Sequence, residues 1–209
     1  MGKIKQGVLG GFTGTVGPVI GSSWKGVDVV KSKPTSVAYP ATAGQVAQTS
    51  KMAGIVAIGS ELLAGVVKPL WDRFAVKQSG YNAFTSANIG NMNGASVSDF
   101  SAFKIAKGKL LPLTPACDGV PVLGELVVTW DDVEVSDPLA SATDVAFAVI
   151  LGEDSSVVGF ASGTTRASKE ISIPAKSLGA MTNVNVYLAF RSADGKRVSN
   201  TGYANVLLD

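Results

Sequence analysis

The residues able to do chemistry fall into a few groups, and each group points to a different reaction or ligand. Asp131-Asp132-Val133-Glu134, with Asp137 shortly after, offers the hard carboxylate oxygens that calcium takes, but without the D-x-[DN]-x-[DN]-G spacing of a calcium loop. It reads as a solvated loop between strands, or as an acidic patch for a basic partner. Gly7, Gly10, Gly14 and Gly17 suggest a phosphate cradle, yet neither G-x-x-x-x-G-K-[ST] nor G-x-G-x-x-G occurs. Close packing of backbones is the better use of such glycines. Cys117 is the single cysteine, and the chain contains no histidine. The commonest general base and the commonest metal ligand are therefore absent together, and a Cys-His pair cannot form. No catalytic residue, cofactor or metal is expected.

Lys3, Lys5, Lys25, Lys31 and Lys33 stand in the first 33 residues with Phe12 and Trp24 among them. Ammonium groups displace counterions from phosphates and aromatic rings stack on bases, so this set is the candidate nucleic-acid contact. The same residues suit a solvated face or a docking site for an acidic surface. Trp24, Trp71 and Trp130 read as core or interface anchors, and Trp71 joins the seven residues above as a candidate interaction residue.

Composition narrows the class. Hydrophobic residues make up 46% of the 209 and charged residues 16%, which is a folding composition rather than a disordered one. The net charge of +2 hides an asymmetry. Residues 1–115 carry twelve Lys or Arg against four acids, a net +8; residues 116–209 carry six against twelve, a net −6. Such polarity suits halves that meet different partners, or copies that pack basic end to acidic end. One cysteine removes any intrachain disulfide, and the opening residues lack the apolar core of a secretory signal, so synthesis in the cytoplasm is expected. The apolar run Met52 to Val67 spans sixteen residues and contains Glu61, short of the roughly 20 needed to cross a bilayer; membrane contact is not expected.

The elements that must position these residues differ between the halves. Eight glycines among residues 2–26 forbid a stable helix and predict extended chain with bends, leading into a strand at Trp24 to Lys31. Thr42 and Gln45 have capping-box spacing, and predict a helix from there to about Val67, kinked or ended by Pro69. A second helical stretch from Leu70 through Val76 toward Tyr81 and Phe84 ends near Asn88 to Gly94, and residues 91–106 read as a polar connector. Period-two patterns follow at Leu126 to Trp130, Val145 to Leu151, Ile171 to Ile173 and Val184 to Phe190. The turn Asp194-Gly195 and a strand from Val198 to Leu207 close the chain. The expected fold is α+β: a Gly-rich extended or β segment and a helical hairpin or kinked helix over 1–106, then an antiparallel immunoglobulin-like β-sandwich over 107–209.

Two resemblances bear on this. Leu126-Val127-Val128-Thr129-Trp130, together with Val184 to Phe190 before Asp194-Gly195, resembles fibronectin type III and related immunoglobulin-like modules, which implies a sandwich but no particular role. Met1-Gly2-Lys3-Ile4-Lys5-Gln6-Gly7, then Gly21-Ser22-Ser23-Trp24-Lys25-Gly26, then Pro40-Ala41-Thr42 with Gln45 and Gln48, resembles an uncharacterised family encoded by Bacteroidota and their phages. The segment before the Trp71 helix is also similar to a pattern of phage virion proteins. These resemblances imply a non-enzymatic structural or assembly protein of a virion that self-associates as a homo-oligomer or docks on other virion proteins. The alternative is nucleic-acid binding through the basic half.

Overall fold

In the computed structural model, which describes residues 2–3, 11–34, 40–117, 125–131, 139–174 and 181–208, glycine-rich chain gives a small sheet and the rest gives a layered α+β body. The chain divides into two compact units, Met1–Ala41 and Thr42–Asp209. The first is an antiparallel sheet of β1 (Gly2–Lys3), β2 (Gly14–Val16), β3 (Val19–Trp24) and β4 (Val27–Ser32) in the order β1-β4-β3-β2. Two-residue turns join β2 to β3 and β3 to β4. Gly17 at φ 57° precedes Pro18 in one, and Lys25 and Gly26 both take positive φ in the other, the dihedral sign that right-twisted hairpins favour.

The second unit begins with α1 (Ala43–Glu61), whose start is the expected capping box. The Gln45 amide donates to Thr42 Oγ1 at 3.3 Å, and the Thr42 amide donates to Gln45 Oε1 at 2.9 Å. The bend comes earlier than Pro69. The Val66 and Val67 amides both donate to the Leu62 carbonyl, one π-helical turn (Leu63–Val67) is inserted, and the helix axis turns by 73° before α2 (Lys68–Trp71). Pro69 is accommodated in the first turn of α2, where its missing donor does little harm. The helix expected from Leu70 to Val76 stops at Trp71. Asp72 instead accepts the Gly80 amide at 3.0 Å, and a separate helix, α3 (Gly80–Asn88), starts under the Ser79 cap.

Residues 91–106 are not merely a polar connector. After a short hairpin of β5 (Met92–Asn93) and β6 (Ser96–Val97), Phe103, Ile105 and Ala106 are buried. Polar side chains do the tethering: Asn88 donates to the carbonyls of Phe84 and Lys104 and accepts the Lys104 amide at 2.7 Å.

Seven strands follow among the described residues. β7 (Pro115–Cys117), β8 (Glu125–Trp130) and β11 (Glu170–Pro174) form one sheet in the order β11-β8-β7. A second sheet has the order β10-β9-β12-β13, from β9 (Val145–Gly152), β10 (Val157–Thr165), β12 (Asn183–Arg191) and β13 (Gly202–Leu207). All pairings are antiparallel. Leu126, Val128, Trp130, Ile171 and Ile173 of the first sheet share a core with Ala146, Ala148, Ile150, Val184, Val186 and Leu188 of the second.

The other face of the four-stranded sheet is buried too. Phe147, Val149, Leu151, Tyr187 and Ala189 pack in one cluster with Ile55, Ile58, Leu62, Val66 and Phe84 of the helical region. A run of aromatic rings marks this layer: Trp71 to Phe84 (6.0 Å), Phe84 to Phe103 (5.9 Å), Phe103 to Tyr187 (5.6 Å) and Tyr187 to Tyr203 (5.4 Å). The compact units divide after Ala41, and the helical residues up to 106 share a core with the four-stranded sheet. A sheet apolar on both faces needs cover on both.

Candidate interaction surface

The β3–β4 hairpin places several of the candidate residues directly. In the β3–β4 register Trp24 pairs with Val27, Ser22 with Val29 and Ile20 with Lys31, so all six share one face. That face carries an apolar strip from Ile20 and Val29 to Trp24 and Val27, with Lys31 at one end and the Lys25 turn at the other. Trp24 is 63% exposed and Val27 42% exposed. Lys25 Nζ stands 5.4 Å from the Trp24 ring centroid, a cation–π contact on an open indole.

The opposite face is treated differently. A side chain at Gly21 would collide with the Phe12 carbonyl and ring, so glycine is what allows Phe12 to lie across the sheet there. Gly11 makes a similarly close approach to the Asp28 carboxylate. Val16, on β2, is 64% exposed. Among the described residues of this unit only Gly21 is buried, and no hydrophobic side chain is. A single sheet with both kinds of apolar residue open to water has little of its own to stabilise it.

The eight residues expected to make contacts are thus distributed unevenly. Trp24 and Lys25 meet at the hairpin turn, Lys31 shares their face, and Phe12 lies over Gly21. Lys33 is exposed just past β4, where its amide donates to the Pro18 carbonyl at 2.7 Å. Lys3 pairs through its backbone with Val29. Lys5 lies outside the described residues, as do Asp132, Glu134 and Asp137 of the acidic run; Asp131 is exposed. Trp71 sits in the core of the second unit, away from the hairpin residues in sequence. It is 6% exposed, its indole N–H donates to the Ile105 carbonyl at 2.7 Å, and its ring stacks edge-on against Phe84. The pattern of a large aromatic near a helix end does not tell a core anchor from an interface anchor, and here the core claims it.

A second exposed apolar element was less visible in the sequence. α1 buries Gly54, Ile55, Ile58 and Gly59 and leaves Val46 (53%), Met52 (44%) and Val56 (37%) open. Residues 43–49 are exposed without exception. The signal that could have found this is the charge content: Lys51 and Glu61 are the only charged residues of the nineteen in α1, too few for an ordinary solvated helix face. Cys117 is half-buried on β7. Among the described residues no group of three His, Cys, Asp or Glu is placed to hold a metal ion. Among the described residues no single helix is long and apolar enough to cross a membrane.

The model of a family described as "Family of unknown function (DUF6266)" matches residues 11–205 of this chain, a span that includes β2 to β4, the bent helix and, but for the last two residues of β13, both sheets of the second unit. No curated protein matches the chain.

Proposed function

We propose that this chain, which belongs to the family of unknown function (DUF6266), is a non-enzymatic structural or assembly protein that associates with further copies of itself or with other components of a particle. The observation that carries the reading is the hairpin sheet. It holds Trp24, Val27 and Val16 in water and buries no hydrophobic side chain among its described residues. Exposed apolar strips of this kind are covered by a partner in most settings where they persist. The under-charged face of α1 with Val46, Met52 and Val56 supports the same reading from a separate element.

The particle we have in mind is a phage virion or an element derived from one, on the resemblance of the amino-terminal motifs. The seven carboxy-terminal strands support an immunoglobulin-like module of the fibronectin type III kind, since their order separates three strands from four as such modules do. In this reading the hairpin sheet and α1 join copies, and the sandwich docks or decorates.

Light scattering across a concentration series tests the association. We expect species larger than the 21.3 kDa monomer, and their loss in Trp24→Ser. A strictly monomeric chain at high concentration and low salt would sink the reading. A second reading, contact with nucleic acid through Lys25, Lys31 and Trp24, draws on the cation–π pair at the turn. It requires a mobility shift by the full chain that weakens steeply as salt rises.

A further inference from the structure

The unit Thr42–Asp209 contains two adjoining clefts, of about 620 and 500 Å³, that share Phe74, Gly108 and Lys109 as lining residues. Each volume is in the range of a pocket that takes a sizeable side chain or small molecule. Trp71, Ala83 and Lys107 line the first; Leu139, Lys196, Arg197 and Val198 line the second. The second cleft is mostly apolar, the first mixes Gln78 and Ser86 with its apolar residues, and four cations stand around the two. No carboxylate lines either cleft among the described residues. The nearby Asp194 meets Lys196 at 3.7 Å, but both side chains are more than half exposed, so this pair neutralises little.

The cations are held on fixed backbone. The Leu110 amide donates to the Val198 carbonyl at 3.1 Å, the Asn200 amide to the Leu110 carbonyl at 3.2 Å, and the Gly108 amide to Asn200 Oδ1 at 3.2 Å. A side chain at Gly108 would run into the Val198 carbonyl, so glycine brings Lys107 and Lys109 against this edge. Across from them the Ser192–Arg197 turn is closed by its own bonds, Ser192 amide to Arg197 carbonyl at 3.0 Å and Arg197 amide to Ser192 Oγ at 2.9 Å. Arg197 Nη1 also donates to the Leu139 carbonyl at 3.4 Å. Cationic groups presented on a rigid frame lose less entropy on pairing than free lysines do.

We infer that the two clefts form one docking groove for an acidic peptide segment of a partner protein. An apolar side chain of that segment sits against Phe74, Leu139 and Val198, and flanking carboxylates pair with Lys107, Lys109, Lys196 and Arg197. Peptide suits the groove better than single-stranded nucleic acid. Stacking needs open aromatic faces, whereas Trp71 is buried with its N–H already committed to Ile105, leaving Phe74 as the single accessible ring. This groove does not depend on the hairpin sheet, so the two readings stand or fall separately.

The experiment is fluorescence anisotropy of the full chain with a labelled ten-residue peptide of alternating aspartate and leucine, run beside a labelled ten-nucleotide single-stranded DNA. The wild-type chain is expected to bind the peptide, and Lys109→Glu/Arg197→Glu to bind it at least roughly tenfold more weakly, since like charges then face the carboxylates. Lys196→Glu changes a side chain that is two-thirds exposed and so leaves folding alone; it is expected to weaken binding in the same direction. Lys169→Glu, the same charge change on a residue that lines neither cleft, is expected to leave affinity unchanged. Equal affinity in wild type and both groove variants overturns the inference. So does equal weakening by Lys169→Glu, which would mean general charge attraction, or oligonucleotide that binds more tightly than peptide and displaces it.

Discussion

The phenolic hydroxyl of Tyr187, in the middle of β12, donates to the carbonyl of Phe100 at 2.9 Å across 87 residues of chain. The bond fastens the central strand of the larger sheet to the segment that follows the β5–β6 hairpin, on the face where the helices pack. Tyr187→Phe keeps the ring in contact with Phe103 and Tyr203 and removes only this bond. We expect a loss of about 1 kcal/mol in urea unfolding with the slope unchanged. Tyr187→Ala also removes the ring from a site with no exposure and should cost roughly 3–5 kcal/mol.

The same residue predicts a pH dependence. Burial, and then the neighbouring Tyr203 and Asp99, hold the Tyr187 phenol above its ordinary range. In the unfolded chain it ionises near pH 10. The favoured neutral form therefore contributes its full stability below about pH 10, and that contribution falls as the pH rises above it. Thermal unfolding followed from pH 8 to 11 should show the wild-type midpoint dropping more steeply above pH 10 than that of Tyr187→Phe.

Two glycines of α1 should respond with opposite signs to the same change. A side chain at Gly54 would strike the backbone carbonyl of Ala95, whereas nothing lies within 4 Å of one at Gly44. Gly44→Ala is expected to stabilise by up to about 1 kcal/mol through helix propensity. Gly54→Ala should destabilise by about 1–3 kcal/mol as the β5–β6 hairpin is forced away. Paired melting curves check both.

Asn88 has no exposure and satisfies three backbone groups, two of them on Lys104. Asn88→Ala removes the partner of the Lys104 amide and carbonyl, and we expect a loss of about 2 kcal/mol or more. Hydrogen exchange at Lys104 should accelerate beyond what the global change in stability explains.

Of the three tryptophans, Trp24 is exposed while Trp71 and Trp130 are buried. Iodide should quench one emitting fraction in dilute protein. If the hairpin strip is covered on association, that fraction should shrink as concentration rises and be absent from Trp24→Phe at every concentration.

Much of this architecture was legible because local rules and tertiary packing agreed. The capping box at Thr42 and Gln45, the alternation of Val184 to Phe190 and the Asp194-Gly195 turn each form where their patterns place them. β10 was not legible. Its residues, Val157 to Thr165, include Gly159 and Gly163, and two register shifts break the alternation that would have marked a strand. The strand expected from Val198 begins only at Gly202, since the chain first bridges to Leu110 and Arg191 through Val198 and Ser199.

The bend at Leu62 was hidden for a different reason. A π-helical turn leaves no proline behind it as a signature; it is stabilised by what it touches. Gly65 lets the bent helix lie directly on the ring of Phe160, a residue of the unrecognised strand. In the candidate surface, Trp24 and Lys25 stood out by residue type, but the strand expected from Trp24 to Lys31 is broken by the Lys25-Gly26 turn, whose two positive φ values fold it back as β3 and β4. The cleft around Gly108 was not readable, because Lys107, Lys109, Lys196 and Arg197 meet only through the pairing of residues 108–110 with residues 198–200.

The doubly covered sheet also bears on how such a chain can be inherited. A gene fragment starting at residue 107 would encode the seven described strands of the sandwich, yet it would not be a portable cassette, because Phe147, Val149, Leu151 and Tyr187 would face water where Ile55, Leu62 and Phe84 now lie. Recombination that respects the core has its natural joint near Ala41 instead. Lineages that exchange parts of this protein should therefore trade the glycine-rich hairpins as one piece and pass on everything from Thr42 as another.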